Sequence, residues 1–253
     1  MLNQIDIQDI VSIAKEAGNA IMQIYKHDFE VEYKQDSSPL TLADKKANDI
    51  IVTGLNQLSV NFPILSEEGK EVPYEERKNW EYFWLVDPLD GTKEFVKKND
   101  EFTVNIALIH KDTPVLGVVY APALDICYWA KQGDGSFKDG ERLPIKTERQ
   151  RDTYKIVASR SHMSDDTQAF IDAIDTSKEK ELISIGSSLK ICLVAEGEAD
   201  IYPRLGPTME WDTGAAHVIV NESGKKLRKY SDELYSSCKY NKYSLLNQLF
   251  VAN

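Results

Sequence analysis

Residues 82–92, Tyr-Phe-Trp-Leu-Val-Asp-Pro-Leu-Asp-Gly-Thr, constrain the fold of this chain more than any other stretch. The first five residues are aromatic or aliphatic and predict a buried strand. Pro88 fixes its own φ and biases Asp87 toward an extended backbone, so we expect the strand to end in a defined turn. Two carboxylates, those of Asp87 and Asp90, then converge across this turn at the end of a rigid strand.

The two residues after the turn predict a helix start. Gly91 permits a backbone conformation that is closed to other residues, and Thr92 is predicted to cap a helix that begins at Lys93. A carboxylate pair in this setting suits a hard divalent cation such as Mg²⁺, which needs several oxygen ligands in near-octahedral order. The alternative is that Asp87 and Asp90 only form a turn, because Asp and Gly are common in turns.

The charge balance limits the partners that the chain can bind. Of its 253 residues, 41 are acidic and 30 are basic, which gives a net charge of −11. Because nonspecific binding to nucleic acid needs a basic surface, we expect no nucleic-acid partner. The overall field repels an anionic substrate, so local cations or a bound metal must attract it.

Cysteine usage and hydropathy predict the cellular location. The three cysteines are widely spaced without a C-x-x-C pair, which is typical of reduced thiols in a cytosolic protein, and the four histidines lack zinc-ligand spacing. The sequence shows neither a secretory-signal pattern nor an apolar run of membrane length. We expect a cytoplasmic monomer or homodimer, and leave open a peripheral association with the cytoplasmic face of the inner membrane.

Three acidic residues of the first part are further candidates. Helical spacing of apolar residues predicts helices over residues 4–25 and from Thr41 to about residue 58. Thr41 and Asp44 have capping-box spacing, so Asp44 either closes the second helix or orients a hydroxyl group or a metal-bound water. Glu67 and Glu68 follow a short predicted strand. Adjacent glutamates are usually solvated, but a strand end before a glycine is also the setting of the central carboxylates.

The order of predicted elements divides the chain into two halves. Closely spaced strands over residues 102–131 and a hairpin signal at residues 138–141 predict an antiparallel sheet. Residues 144–153 are charged and poor in core residues, and strands then alternate with helices. We therefore predict an α+β metal-binding half over residues 1–150, with a mainly antiparallel sheet, and a smaller α/β substrate-binding half over residues 151–253, which together form one compact catalytic unit.

Three stretches of the second half combine small, polar and charged residues at element boundaries. Taken singly, Ser187, Ser188 and Asp212 are explained as helix caps. Lys190 and Arg204 are likewise explained as solvated charges. The stretches are Gly-Ser-Ser-Leu-Lys at 186–190, Tyr-Pro-Arg-Leu-Gly-Pro-Thr at 202–208 and Glu-Trp-Asp-Thr-Gly-Ala-Ala at 210–216.

Taken together, three motifs carry a family resemblance. They are Pro-Ile-Leu-Ser-Glu-Glu at 63–68, Trp-Leu-Val-Asp-Pro-Leu-Asp-Gly-Thr at 84–92 and Trp-Asp-Thr-Gly-Ala-Ala at 211–216. In this order they resemble the inositol monophosphatase superfamily of magnesium-dependent, lithium-sensitive sugar and nucleotide phosphatases. The resemblance implies the αβαβα sugar-phosphatase fold, an α/β layered architecture.

Further motifs resemble one branch, the 3′(2′),5′-bisphosphate nucleotidases of the CysQ type. The resemblance implies hydrolysis of the 3′-phosphate of adenosine 3′,5′-bisphosphate to AMP, and of its sulfated form in the branch. From about residue 221 the chain departs from the family, because its ending is rich in Lys and Tyr rather than in small residues. The branch motifs are Lys-Glu-Phe at 93–95, Glu-Phe-Thr-Val-Asn-Ile-Ala at 101–107, Ser-Arg-Ser-His at 159–162, residues 186–190 and residues 202–204.

The resemblance also implies site roles at the reacting phosphate. Two or three Mg²⁺ ions would bridge this phosphate, generate a nucleophilic water and stabilise the leaving oxygen. Independently, several carboxylates gathered at one site would repel each other strongly without cations. Thr92, hydrogen-bonded to Asp44 and near Glu68, would activate or position the water. The implied metal ligands are Glu67, Asp87, Asp90, Asp212 and the Leu89 carbonyl.

At the other end of the substrate, the resemblance implies a binding site for the phosphate that is not cleaved. Ser187, Lys190 and Arg204 match residues that hold it, and Arg suits bidentate phosphate contacts. His162 matches a position near the nucleotide. The backbone amides of Gly91 and Thr92 suit a phosphate oxygen. The implied substrate-binding set is completed by Glu67, Leu89, Asp90 and Asp212.

Three other functions compete with this prediction. The same chemistry on inositol or fructose phosphates would leave Lys190 and Arg204 without a purpose if the substrate had one phosphate. Covalent aspartyl-phosphate chemistry would need a D-x-D pair after a strand, whereas this chain has D-x-x-D. A noncatalytic metal-binding module would not need an intact motif.

Overall fold

The structure, a computed structural model, describes residues 2–33, 39–145, 151–159, 164–230 and 236–253. The helices are α1 Ile7–Tyr25, α2 Leu42–Asn56, α3 Tyr74–Arg77, α4 Thr92–Val96, α5 Asp165–Ala173, α6 Leu189–Glu196 and α7 Glu210–Glu222. The strands of the first half are β1 Val31–Tyr33, β2 Pro39–Thr41, β3 Ile64–Ser66, β4 Tyr82–Asp90, β5 Thr103–His110, β6 Thr113–Ala121, β7 Ile126–Lys131, β8 Gly135–Lys138 and β9 Glu141–Arg142. The remaining strands are β10 Thr153–Ser159, β11 Glu179–Ile185, β12 Tyr202–Arg204, β13 Leu227–Lys229 and β14 Phe250–Ala252.

Strands β3 to β9 form a seven-stranded sheet in sequence order. Strand β3 pairs parallel with β4, and each later pair is antiparallel, which confirms the predicted mainly antiparallel sheet. Successive side chains of a strand point to opposite faces. In β4, Trp84 and Val86 therefore join the core beneath α1 and α2, whereas Phe83 and Leu85 join the core beneath α6 and α7.

Helix α7 lies directly on this sheet because one glycine permits the approach. A Cβ atom at Gly117 in β6 would lie 2.3 Å from the carbonyl oxygen of Ala215 in α7, far closer than such atoms approach. Any larger residue would have to push α7 away from the sheet. Since α7 carries Asp212, this contact sets the depth at which a predicted site residue lies.

The second half adds three layers, namely α6 with α7, the strands β10 to β14, and α5. Strands β10 and β11 are parallel, β12, β14 and β13 are antiparallel, and a bridge between Ile156 and Ile201 joins the two groups. Helices α6 and α7 cover the inner face of these strands and α5 covers the outer face. The layers thus follow the order α, β, α, β, α, which confirms the predicted architecture. The division at residue 150 stays a prediction; α7 of the second half packs on the sheet of the first half.

Several local elements differ from the predictions. Thr41, predicted as the first residue of the second helix, is instead the last residue of β2, which pairs with β1, and α2 begins at Leu42. Strands β13 and β14 were not predicted. These strands have three residues each, too few to show a hydrophobic period, and their partners lie far away in the sequence.

Cysteine pairing and helix hydropathy add two observations. Cys127, Cys192 and Cys238 are buried and unpaired, which agrees with the predicted free thiols. Among the helices of the described residues, none has both the length and the apolar character needed to cross a bilayer.

Candidate active site

A β-bulge places the two central carboxylates on the same side of the sheet. In the pairing of β4 with β5, Asp87 lies opposite Asn105 and Asp90 lies opposite Thr103, so three residue steps on β4 match two on β5. The extra residue cancels the alternation that would send Asp87 and Asp90 to opposite faces. The predicted end of the strand before Asp87 is therefore wrong, because β4 continues to Asp90. Both side chains line the same cavity.

The helix after the bulge begins one residue earlier than predicted. Gly91, with φ 92°, occupies the N-cap position of α4, and Thr92 is the first residue of the helix. The prediction that Thr92 caps this helix is therefore wrong, and its hydroxyl group is available for other partners. The hydroxyl oxygen lies 3.1 Å from Oδ1 of Asp44 and 3.2 Å from the carbonyl oxygen of Leu89.

Asp44 closes a helix end and also contacts Thr92. The predicted capping box is confirmed, because Oδ2 of Asp44 accepts hydrogen bonds from the backbone N–H and the hydroxyl group of Thr41, both at 2.7 Å. Oδ1 remains directed at Thr92. Burial raises the pKa of Asp44, the hydrogen bonds from Thr41 oppose this rise, and the charge of Glu68 adds to it. The two interpretations of Asp44 are thus compatible.

Asp212 and Ser188 connect the second half to the bulge. Asp212 is the third residue of α7 and accepts a hydrogen bond from the backbone N–H of Met209, so it is not the N-cap residue itself. Ser188 stands at the N-cap position of α6 without a side-chain capping bond. Its hydroxyl oxygen lies 2.8 Å from Oδ2 of Asp90 and 2.6 Å from the carbonyl oxygen of Asp212. Asn105 donates to the same hydroxyl group at 2.9 Å.

Three acids that line the cavity meet at one point. Glu67, Asp87 and Asp212 each offer an oxygen, and these oxygens lie within 4.8 Å of one another. Burial, followed by the charges of Glu67, Asp90 and Asp212, raises the pKa of Asp87 well above its usual range. Burial and the charge of Asp90 do the same for Asp212. Converging oxygen ligands that repel one another fit a hard divalent cation.

Two cations, Lys190 and Arg204, line the same cavity, whose volume is about 270 Å³. Burial, assisted by the charge of Arg204, lowers the pKa of Lys190 to about 8, while Asp90 and Asp212 oppose this change. The guanidinium of Arg204 donates from Nη2 to the carbonyl oxygen of Pro207 at 2.6 Å. The Nζ atom of Lys190 lies 5.8 Å from the ring centre of Tyr202. An anionic group would find both charges within one cavity.

The remaining predicted residues occupy different places. Ser187, at φ 50°, is buried. It lines the cavity together with Leu89 and Gly91. Glu68 is not among the lining residues and stands close enough to Asp44 to influence its pKa. His162 lies outside the described residues.

Two contributors to the site were missed by sequence reasoning. Ser188 and Asn105 lie within motifs that carry the family resemblance, but neither residue was predicted to take part in the site. The sequence does carry a signal for Asn105, because it is a polar amide in an otherwise largely apolar strand. The structure buries it, with 1% of the residue exposed. Ser188 carries no such signal, because its contacts to Asp90 and Asp212 cross between the halves of the chain.

Comparisons with known proteins agree with this site and fold. The model of the Inositol monophosphatase family matches residues 3–253. The 3′(2′),5′-bisphosphate nucleotidase CysQ of Salmonella typhimurium is 48% identical over 221 residues, which cover 86% of this chain and 88% of that protein. Its counterpart in Buchnera aphidicola is 42% identical over 98% of this chain and 93% of that protein. The chain therefore belongs to the inositol monophosphatase family.

A solved structure supports the same placement within the family. The crystal structure of CysQ from Bacteroides thetaiotaomicron, described as a bacterial member of the inositol monophosphatase family, matches with a TM-score of 0.87 and 43% sequence identity. The match covers 98% of this chain and 96% of that chain. The likeness thus extends through the Lys- and Tyr-rich ending as well as the motifs.

Neutralising one acid of the cluster should stabilise the metal-free protein. Because the pKa of Asp87 is raised above its ordinary 3.8, the folded chain binds a proton there more tightly than the unfolded chain. The free energy of unfolding without metal therefore falls as pH rises from about 3.8 through the raised pKa. With a chelator at neutral pH, Asp87→Asn should raise Tm, by roughly 2–4 °C for each kcal/mol in a chain of this size. Added Mg²⁺ should no longer raise Tm further.

Thermal unfolding across pH, with and without Mg²⁺, measures both effects. The matched control is Asp49→Asn, which neutralises an exposed acid on α2 and should leave the response to Mg²⁺ intact. If Asp87→Asn unfolds at a lower temperature than the unchanged protein in chelator, repulsion within the cluster is not the dominant effect.

Proposed function

We propose that this chain is a magnesium-dependent phosphomonoesterase that removes the 3′-phosphate of adenosine 3′,5′-bisphosphate to give AMP, and accepts the sulfated nucleotide as well. One observation carries the proposal: a single cavity is lined both by an acid cluster and by Lys190 and Arg204. A substrate with two anionic groups matches this lining, because one group can be bound through metal ions at the acids and the other by the two cations. The relatives named as 3′(2′),5′-bisphosphate nucleotidases support the choice of substrate.

The acid cluster would hold the phosphate that is cleaved. Two or three Mg²⁺ ions would supply charge neutralisation for this phosphate and acidify a water molecule. The bulge fixes Asp87 and Asp90 side by side, while α7 fixes Asp212. Because β4 carries two of the acids and α7 carries a third, the ligand oxygens are held by packed elements before the ions arrive. The residues that would hold the ions are Glu67, Asp87, Asp90, Asp212 and the carbonyl of Leu89.

Thr92 and Asp44 are suited to position the attacking water. The Thr92 hydroxyl group carries one proton, and when it donates this proton to Asp44 its oxygen can accept one from water. The two hydrogen bonds from Thr41 fix the Asp44 carboxylate. Glu68 adds negative charge nearby, which raises the proton affinity of Asp44. The pair thus forms a route for the proton of the water, from Thr92 toward Asp44.

The two cations of the cavity would select the substrate. Lys190 and Arg204 would hold the 5′-phosphate, with Ser187 beside them, and His162 would stand near the nucleotide. These contacts would be strong, because hydrogen bonds between charged donors and phosphate oxygens exceed neutral ones. An inositol monophosphate would leave both cations without an anionic partner, so this candidate is less well matched. Fructose bisphosphate has two phosphates and remains a second candidate that a substrate panel with Mg²⁺ separates.

The role of Thr92 can be separated from stability. Thr92→Val keeps the shape of the side chain but removes the hydroxyl group that contacts Asp44. We expect kcat to fall by about 10²- to 10⁴-fold, the usual contribution of general-base assistance, while KM changes little. Thr113→Val, a matched change at an exposed strand end, should leave kcat unaltered. Near-normal kcat with a lower Tm in Thr92→Val would show that the contact is only structural.

The role of the two cations can be tested by comparing two substrates. In the double variant Lys190→Ala with Arg204→Ala, kcat/KM for adenosine 3′,5′-bisphosphate should fall. The fall corresponds to a loss of about 1.5–3 kcal/mol of transition-state binding for each lost charged hydrogen bond. Because 3′-AMP has no 5′-phosphate, its kcat/KM should hardly change. Equal losses on both substrates would mean that the cations act on the cleaved phosphate or on the acid cluster, and would contradict the assigned selectivity.

A further inference from the structure

The Lys- and Tyr-rich C-terminal segment, residues 240–247, contacts both chain segments that flank the acid cluster. We propose that Arg77 and Asn241 are positioning residues of the metal site, which fix the segment after Glu67 relative to the start of α7. This inference rests on the proposed metal site. It adds the residues that set the distance between Glu67 and Asp212, although neither of them would touch a metal ion.

The first connection is a reciprocal pair of hydrogen bonds between Arg77 and Asn241. Nη1 of Arg77 donates to Oδ1 of Asn241 at 2.8 Å, and Nδ2 of Asn241 donates to the carbonyl oxygen of Arg77 at 2.8 Å. Nη2 of Arg77 also donates to the carbonyl oxygen of Tyr243 at 3.1 Å. Arg77 is 3% exposed. A buried guanidinium with several fixed acceptors binds the C-terminal segment to α3 rigidly.

The second connection links the same segment to the start of α7. Glu210, the first residue of α7, is completely buried. Its carboxylate accepts the backbone N–H groups of Asn241 at 2.6 Å and Lys242 at 3.1 Å, together with the Lys242 ammonium. Asp212 follows two residues later. Movement of Asn241 would therefore be passed through Glu210 to a proposed metal ligand.

A third contact fixes the first turn of α7 from its other side. Nδ2 of Asn247 lies 2.7 Å from the carbonyl oxygen of Met209 and 3.0 Å from the hydroxyl oxygen of Thr213. Asp212 lies between these two partners and its carboxylate accepts the Met209 N–H. The C-terminal segment therefore contacts the Met209 backbone on one side of Asp212 and the Thr213 side chain on the other.

Open space beside these contacts makes the hydrogen bonds important. A cavity of about 640 Å³ is lined by Glu67, Val72 and Arg77 from the segment after β3 and by Met209 and Trp211 from the start of α7. Where a cavity lies between elements, close packing contributes less to fixing their distance. The hydrogen-bonded path from Arg77 through Asn241 to Glu210 joins the two segments directly. Residues that orient metal ligands typically contribute about 10- to 100-fold to metal affinity.

Asn241→Gly isolates the connection. Asn241 has φ 57°, which glycine adopts without strain, and the backbone N–H group that contacts Glu210 is retained. Only the two side-chain bonds to Arg77 are lost. We expect Mg²⁺, titrated calorimetrically without substrate, to bind about tenfold more weakly. At saturating Mg²⁺, kcat should return close to that of the unchanged protein.

Arg77→Lys provides an independent second variant. It keeps the positive charge near Glu210 and the backbone carbonyl that accepts from Asn241. A lysine ammonium lacks the planar fork by which the guanidinium binds Asn241 and the Tyr243 carbonyl together, so this variant should also weaken Mg²⁺ binding. It decides the test if Asn241→Gly does not fold. If the two residues act as one unit, the double variant should bind Mg²⁺ no more weakly than the single variant with the larger loss of affinity.

Tyr120→Phe is the control for a general loss of stability. It removes the hydrogen bond from Tyr120 to Asp125 on the α1 side of the sheet, so it should lower Tm without changing the Kd for Mg²⁺. An unchanged Kd in Asn241→Gly or Arg77→Lys, whatever their Tm, would overturn the inference. If the unchanged protein itself binds no Mg²⁺ in this titration, the proposed metal site fails, and the inference fails with it.

Discussion

Repulsion among the clustered carboxylates of Glu67, Asp87 and Asp212 is the strongest constraint on this structure. Glu67, Asp87 and Asp212 bring oxygens within 4.8 Å of one another, and burial raises the pKa of both aspartates further. Charges at such distances in a poorly hydrated site are costly unless cations neutralise them. The protein must therefore hold the acids in place against their own repulsion, and the same arrangement gives a divalent cation a strong reason to bind.

The required rigidity comes from backbone geometry rather than from the acids themselves. The bulge in β4 sets the spacing of Asp87 and Asp90, and the close approach at Gly117 sets the depth of α7. Ser188 joins Asp90 to the backbone of Asp212 across the two halves of the chain. Lys190 lies two residues after Ser188, in the first turn of α6. The elements that hold the acids therefore also place one of the two cations of the cavity.

Sequence reasoning succeeded where the signal was local. The capping box of Thr41 with Asp44 and the antiparallel order of the sheet followed from spacing and hydrophobic pattern, and both were confirmed. It failed where long-range pairing decides the result. The bulge that extends β4 depends on the register with β5, and the helix start at Thr92 depends on that bulge. The contacts of Asn241 join segments that are far apart in the chain, and no local pattern reports them.

Metal-assisted attack of water on a phosphate monoester in this cavity can be tested in a single turnover. Adenosine 3′,5′-bisphosphate labelled in the 3′-phosphate is mixed with the purified protein in Mg²⁺ or in chelator and quenched during the first turnover. Labelled inorganic phosphate and unlabelled AMP should form only with Mg²⁺, and no label should stay on the protein. Phosphate release that persists in chelator, or label retained on the quenched protein in proportion to the active sites, would contradict this mechanism.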